Sequence, residues 1–439
     1  MREPNCRRIV SSKDLWEIAI DFMGVIDEEL MEFNMKFAYI TYRICKLKRI
    51  PNRIISKLVF LSCFNDIGKL YAGENASTAR IETYLFLKYF SPIKNYADVL
   101  IYETKSKMSN IYSYGTTLEM CKRFTTYLFQ LKDAESAQRM VLIDKDKKDY
   151  TFVDIMCLNK LLDKTDIFYE MNSLHYKTVV HKYISKTIFT TKEESKFFSM
   201  LSALFEMYSA QTLYHSRLTA IVAYLISKKM KLEKARCKKV YVAGLCHDLG
   251  KVSIPLKILE KPDKLTDREY SIMKKHVTYT KEILNYKMDY DIIELAYRHH
   301  EKLDGSGYPN KLKADSITLD QRILQVSDII SALMAKRSYK EAWSSEKTIA
   351  ILDDLALTNK LDQNVVDCFK TNQNKIIKIT GVLMGQADRI YDKINIERQE
   401  LMEQENSPVK EEAKAKEDTK EKETPKEDNK EGNKNVQEK

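Results

Sequence analysis

The sequence predicts an all-α protein, and three observations carry that expectation. Apolar residues recur at three- and four-residue spacing across 15–40, 197–228, 234–247, 290–300 and 319–334, the period of helices with one buried face. Glycine and proline are scarce, 11 and 8 in 439 residues, and they gather where those stretches stop: at Pro255, Pro262 and the run 304–309. Few segments alternate apolar and polar residues, so little in the chain competes for strand.

A chain of 439 residues can bury a large core, and two domains are the default expectation. Residues 1–190 are expected to form a helical N-terminal domain with a regulatory role, and 191–385 a second helical domain. The last segment, 386–439, opens with a charged amphipathic helix at 387–404. From about Asn406 it turns to Lys, Glu, Asn, Thr and Pro, a composition that cannot offset its chain entropy and is expected to be disordered. An internal echo links the two halves: SKLVFLSCFNDIGK at 56–69 parallels KKVYVAGLCHDLGK at 238–251, at a constant offset of 182. By that register Asn65 and Phe33 stand where His247 and His215 stand later, and Tyr102-Glu103 occupies the region of a later His pair. The preferred reading is a duplicated domain whose first copy lost its metal site. The rival is chance similarity between two helix ends.

Composition narrows the setting. No run of 18 apolar residues offers a membrane span, and the start MREPNCRRIV lacks the apolar stretch of a secretory signal, so a cytoplasmic location is expected. Eight scattered cysteines, with no close pair, read as reduced core thiols. The net charge of +10 suits an anionic partner such as a nucleotide, and equally a plain lysine-rich surface.

The chemistry concentrates in one region. Of seven histidines, His215, His247, His276, His299 and His300 fall within 86 residues, beside Asp248 and Asp328. Imidazole with carboxylate, and no thiolate, is the ligand set for iron, manganese, nickel or zinc. The long spacings suit several helices of one bundle each sending a ligand inward.

The motifs HDLGK (247–251), KILEKPDKLT (257–266), KKH (274–276), HHE (299–301), DGSGYP (304–309), RILQVSD (322–328) and RSYK (337–340) together resemble the HD-GYP family, a branch of the HD superfamily of metal-dependent phosphohydrolases. The resemblance covers roughly residues 205–360. It implies an all-helical domain that hydrolyses cyclic di-GMP to pGpG or GMP with two divalent metal ions, iron or manganese foremost. It further implies His215, His247, Asp248 and Asp328 as ligands of one metal. Asp248 would bridge to a second metal held by His276, His299 and His300. Lys251 matches the lysine near the leaving group, although by position it also suits a helix C-cap. Asp304, Gly307 and Tyr308 fall in the substrate-pocket loop, with simple packing open as a role for Tyr308. Arg337 and Lys340 match phosphate binders, and solvated surface charge is the alternative for Lys340. Cyclic di-GMP is thus the expected partner, with no nucleic acid and with a homodimer admitted.

The chain departs from the family pattern in places. Gln211 stands where a Glu often precedes the first His, which favours two metals over three. Lys311, Ala314 and Thr280 replace usual glycines, so the loop after GYP is expected to bend less tightly. Ser331 replaces a second acidic residue after Asp328. The rivals to an active enzyme of this kind are a cyclic di-GMP receptor without activity and an HD hydrolase of another nucleotide.

Overall fold

A computed structural model describes residues 11–72, 76–148, 150–185, 196–197, 200–201, 203–204, 215–334 and 344–405. The tail expected to be disordered from Asn406 lies outside them. The described residues are helical, with one isolated bridge between Asp304 and Lys313 and no strand. The expected all-α class is therefore the observed one.

Helix α1 (Ser12–Ile26) starts from a capping box in which Ser11 and Asp14 satisfy each other's backbone. The apolar period over 15–40 predicts one helix, but the chain breaks at Asp27. That residue is extended (φ −152°, ψ 99°), and its carboxylate accepts from the Leu30 amide at 2.8 Å, so it caps a new helix instead of continuing the old one. The new helix is α2 (Glu28–Leu47), followed by α3 (Asn52–Cys63), α4 (Ala76–Phe90), a 3-10 stretch over Lys94–Thr104, α5 (Asn110–Leu131), α6 (Ala134–Lys148), α7 (Phe152–Lys164) and α8 (His175–Ser185).

The second half contains α9 (His215–Lys229), α10 (Lys234–Cys246), a 3-10 turn (Leu249–Ser253), a short helix (Asp267–Met273), α11 (His276–Leu284), α12 (Tyr290–Tyr297), α13 (Leu319–Met334), α14 (Ser345–Leu357) and α15 (Gln363–Glu405). Helices α9, α10 and α13 pack together as the heart of this bundle, with α11 and α12 closing one side. Arg322 on α13 reaches Asp362, just before α15, at 2.7 Å and also donates to the carbonyls of Ala314 and Ile317.

One buried apolar cluster runs through both halves without a break. Helix α1 lies against the 3-10 turn 249–253 and α11, where Lys287 meets Asp21 at 2.7 Å. The 43 residues of α15 begin against α9, α13 and α14 and end against α4. There Glu397 accepts from the hydroxyls of Tyr84 and Tyr89, each at 2.9 Å, and from Lys88, while Arg398 pairs with Glu82 and Glu405 with Arg80. The boundary expected at 386 falls inside this helix. The described cysteines are all free, and all but Cys368 are fully buried. No described helix is long and apolar enough to cross a membrane.

Candidate metal centre

Five elements converge on one buried cluster. The first residue of α9 provides His215. The turn after α10 provides His247 and Asp248, the first residue of α11 His276, the residues after α12 His299 and His300, and the middle of α13 Asp328. Asp248 sits at the centre. Its Oδ2 lies 3.4 Å from His215 Nε2 and 3.2 Å from His247 Nε2, and its Oδ1 lies 3.4 Å from His276 Nε2 and 3.9 Å from His299 Nε2. Asp328 Oδ1 faces His215 Nε2 at 3.0 Å and His247 Nε2 at 3.5 Å.

The ring orientations follow from simple hydrogen-bond chemistry. Nδ1 of His247, His276 and His299 lies 2.8, 2.7 and 2.6 Å from the carbonyls of Gly244, Met273 and Ala296, each three residues earlier. A carbonyl only accepts, so each Nδ1 carries a hydrogen, and in the neutral ring each Nε2 is left with the lone pair that a metal takes. Those three Nε2 atoms, with Asp248 Oδ1, are buried and have no hydrogen-bond partner. Buried polar atoms left unpaired are costly, so four of them facing one another identify a place built for cations. Ligand atoms of His276–His299–His300, of His215–His247–Asp248 and of His247–His299–Asp328 each lie within 4.8 Å of one another. The donor set fits divalent transition metals well.

Electrostatics agree. Burial depresses His276 to about 4 and His300, beside His276, to about 3, so both stay neutral and able to ligate at pH 7. Burial also opposes charge on His247, but the Asp248 and Asp328 carboxylates outweigh it and push the group up to about 10. That spot, between two carboxylates, stabilises positive charge. Burial disfavours the Asp248 carboxylate too, yet His247, Lys251 and His215 hold it well below the usual range.

Several side chains support the cluster. Lys251 Nζ is 2.6 Å from Asp248 Oδ2 and remains partly exposed, at the edge of the cluster. Thr280 Oγ1 accepts from the Gly250 amide at 2.8 Å and donates to the His247 carbonyl at 3.1 Å, bracketing Asp248 from both sides. A Cβ at Gly250 would collide with the His276 carbonyl and the Thr280 amide, so this close approach requires glycine. Ser331, in place of an acidic residue, lies 3.4 Å from His215 Nδ1 and is bonded to Thr219, so it steadies the ring.

The DGSGYP loop folds back over the cluster. Tyr308 places its ring 4.8 Å from that of His300, at 32°, and its amide donates to the His300 carbonyl at 3.1 Å. Gly307 packs against the backbone of Glu301 and Lys302, leaving no room for a Cβ. Asp304 is exposed, and its carboxylate accepts from the Ser306 amide at 2.8 Å, closing its own turn. The loop after GYP stays sharply bent despite the lost glycine: Lys311 takes φ +56°. The reason is Glu301, almost fully buried, whose carboxylate accepts from the amides on either side, Asn310 at 2.6 Å and Leu312 at 2.9 Å. Sequence reasoning assigned Glu301 no role, although its place directly after the His pair was a usable signal. Arg337, Lys340 and Gln211 lie outside the described residues.

A helical bundle that gathers further imidazoles around an adjacent His-Asp pair, here His247-Asp248, has the arrangement that the HD resemblance implies. Known proteins agree: residues 199–365 match the HD domain family. A 3′3′-cGAMP-specific phosphodiesterase 1 from Vibrio cholerae is 31% identical over 231 residues, 52% of this chain and 54% of that protein. A 3′3′-cGAMP-specific phosphodiesterase 2 from the same organism is 41% identical over 145 residues, 32% of this chain and 28% of that one. A cyclic di-GMP phosphodiesterase from Thermotoga maritima is 30% identical over 216 residues, 48% and 58% of the two chains. The matches thus span between about a quarter and three-fifths of these relatives' own lengths. A crystal structure of a cyclic GMP-AMP-specific phosphodiesterase of V. cholerae superposes with a TM-score of 0.48 at 16% identity, covering 82% of this chain and 97% of that one. Residues 199–365 of the chain are thus an HD domain, and its relatives over that stretch are cyclic dinucleotide phosphodiesterases.

Proposed function

We propose that the chain is a phosphodiesterase that hydrolyses cyclic di-GMP, with two divalent cations, iron or manganese, held by His215, His247, Asp248, His276, His299, His300 and Asp328. The observation that carries this reading is the set of four buried, unpartnered ligand atoms facing one another around Asp248. Bound there, such cations supply Lewis-acid activation of water and neutralise charge at the phosphodiester. The remaining roles belong to side chains. Lys251, partly exposed beside Asp248, is placed to hold a proton for the departing ribose oxygen. Tyr308, stacked on His300 beside the cluster, offers an aromatic ring suited to a purine, and Gly307 lets the loop close on the Glu301–Lys302 backbone. Arg337 and Lys340 are assigned the second phosphate.

A second substrate is favoured by a specific observation, since two of the relatives above are named for 3′3′-cGAMP. The two nucleotides differ by one purine, so the cluster chemistry serves either. Purified protein loaded with Mn²⁺ or Fe²⁺ is to be offered both dinucleotides and linear pGpG, with products followed by chromatography. Faster loss of cyclic di-GMP supports the reading. Preference for 3′3′-cGAMP moves the assignment to that substrate, and binding without cleavage of either overturns the enzyme.

A further inference from the structure

The two halves of the chain repeat each other in backbone detail far beyond the shared sequence stretch. Arg49 and Lys231, offset by 182, both take a left-handed φ (57° and 59°) where one helix ends and the next begins. The cap bonds around them coincide: Lys48 to Ile44 with Met230 to Ile226, Arg49 to Lys46 with Lys231 to Lys228, and Ile50 to Cys45 with Leu232 to Ser227. Helices α3 and α10 both begin on that offset, at Asn52 and Lys234. Past them, the Gly68 amide donates to Thr83 Oγ1 at 2.9 Å as the Gly250 amide does to Thr280 at 2.8 Å. A Cβ on Gly68 would strike the Ala79 carbonyl and the Thr83 amide, as one on Gly250 would strike those of His276 and Thr280. Helices α5 and α13 share a buried pattern at an offset of 206, in which Leu118, Met120, Cys121, Phe124 and Thr125 pair with Leu324, Val326, Ser327, Ile330 and Ser331.

These registers locate the ligand positions in the first half. Phe33 stands for His215, Asn65 for His247, Ala79 for His276, and Asp66 for Asp248. The α5 register puts Lys122 in the place of Asp328. Lys122 Nζ lies 2.8 Å from Asp66 Oδ1, and Asp66 is buried, with Asn65 Nδ2 on the same oxygen at 3.0 Å and Lys69 at 3.4 Å from the other. Phe33 has turned to pack on Phe129, with ring centroids 5.6 Å apart.

We propose that residues 28–131 contain a second HD-type bundle whose cation site is filled from within: the Lys122 ammonium does for Asp66 what a metal does for Asp248. A buried carboxylate needs a positive charge close by, and a lysine that inverts the charge of one former ligand supplies it permanently. The imidazoles then have nothing to ligate, and their replacement by Phe33, Asn65 and Ala79 follows. The first half is thereby a metal-independent bundle and not a second hydrolase.

The test compares the full-length holoprotein with Lys122→Met and with Lys122→Met combined with Asp66→Asn. Melting temperature, metal content and amide exchange with and without chelator are the readouts. Lys122→Met is expected to lower the melting temperature by about 5 °C or more, at unchanged metal content. Neutralising Asp66 in that background is expected to restore about half of the loss or more, because the two charges are coupled. If Lys122→Met alone fails to fold, a folded double variant supports the proposal and an unfolded one overturns it. Chelator should release exchange in 234–246 and leave 52–63 protected. A Lys122→Met protein as stable as wild type, a double variant no better than the single, or chelator-sensitive exchange in 52–63 would each overturn the proposal.

Discussion

The Glu301→Gln variant removes a charge on which the loop over the cluster depends. Glu301 straddles Lys311, binding the Asn310 and Leu312 amides at 2.6 and 2.9 Å. A hydrogen bond to a charged group contributes about 1.5–3 kcal/mol. Glutamine keeps one acceptor oxygen but turns an NH₂ towards the other amide, so one bond is lost and a donor faces a donor. The left-handed Lys311 costs roughly 1 kcal/mol that the carboxylate no longer offsets. The closed loop therefore weakens by about 2–3 kcal/mol, which is on the order of 30- to 150-fold in affinity. Steady-state hydrolysis of cyclic di-GMP should show that factor mainly in KM, with metal content by elemental analysis unchanged. Adding Lys311→Gly to this background should recover about fivefold, because glycine adopts that backbone freely. A wild-type KM in Glu301→Gln, or loss of metal with it, would refute the reasoning.

Other perturbations separate the parts of the site. Asp248→Ala should abolish turnover and strip most metal while far-UV circular dichroism stays helical, because the central carboxylate meets four imidazoles. Lys251→Met should lower kcat by roughly 100-fold or more with metal retained, as expected of a proton donor, and an equal loss in KM alone would count against that role. Thr280→Gly removes both backbone ties around Asp248 and should lower stability by about 1–2 kcal/mol in denaturant unfolding.

How far the sequence foretold the molecule depends on the kind of signal. Helical periodicity located α10, α12 and α13 closely, because each presents one apolar stripe to a core. It merged α1 and α2, because a single capping aspartate interrupts a helix without disturbing the apolar pattern. The seven candidate ligands were legible as an unusual density of His beside Asp, and the structure brings them together in space. Thr280 and Ser331 were not legible as supports, and Glu301 was marked only by its place after the His pair. Their work is to bind backbone amides, carbonyls and a ring nitrogen, partners that a sequence does not display. The expectation of a slacker loop at Lys311 failed for the same reason.

The course of α15 has a practical consequence for dissecting the protein. Its apolar residues Ile376, Leu383 and Ile394 are all buried, although the helix travels from one bundle to the other. A fragment ended at 385 would cut through the helix interior, strip Glu397 and Arg398 from Tyr84 and Glu82, and leave a greasy stripe open to water. Recombinant work on either half should therefore keep 363–405 attached. Aggregation of shorter pieces would report a severed helix, not an unstable active site.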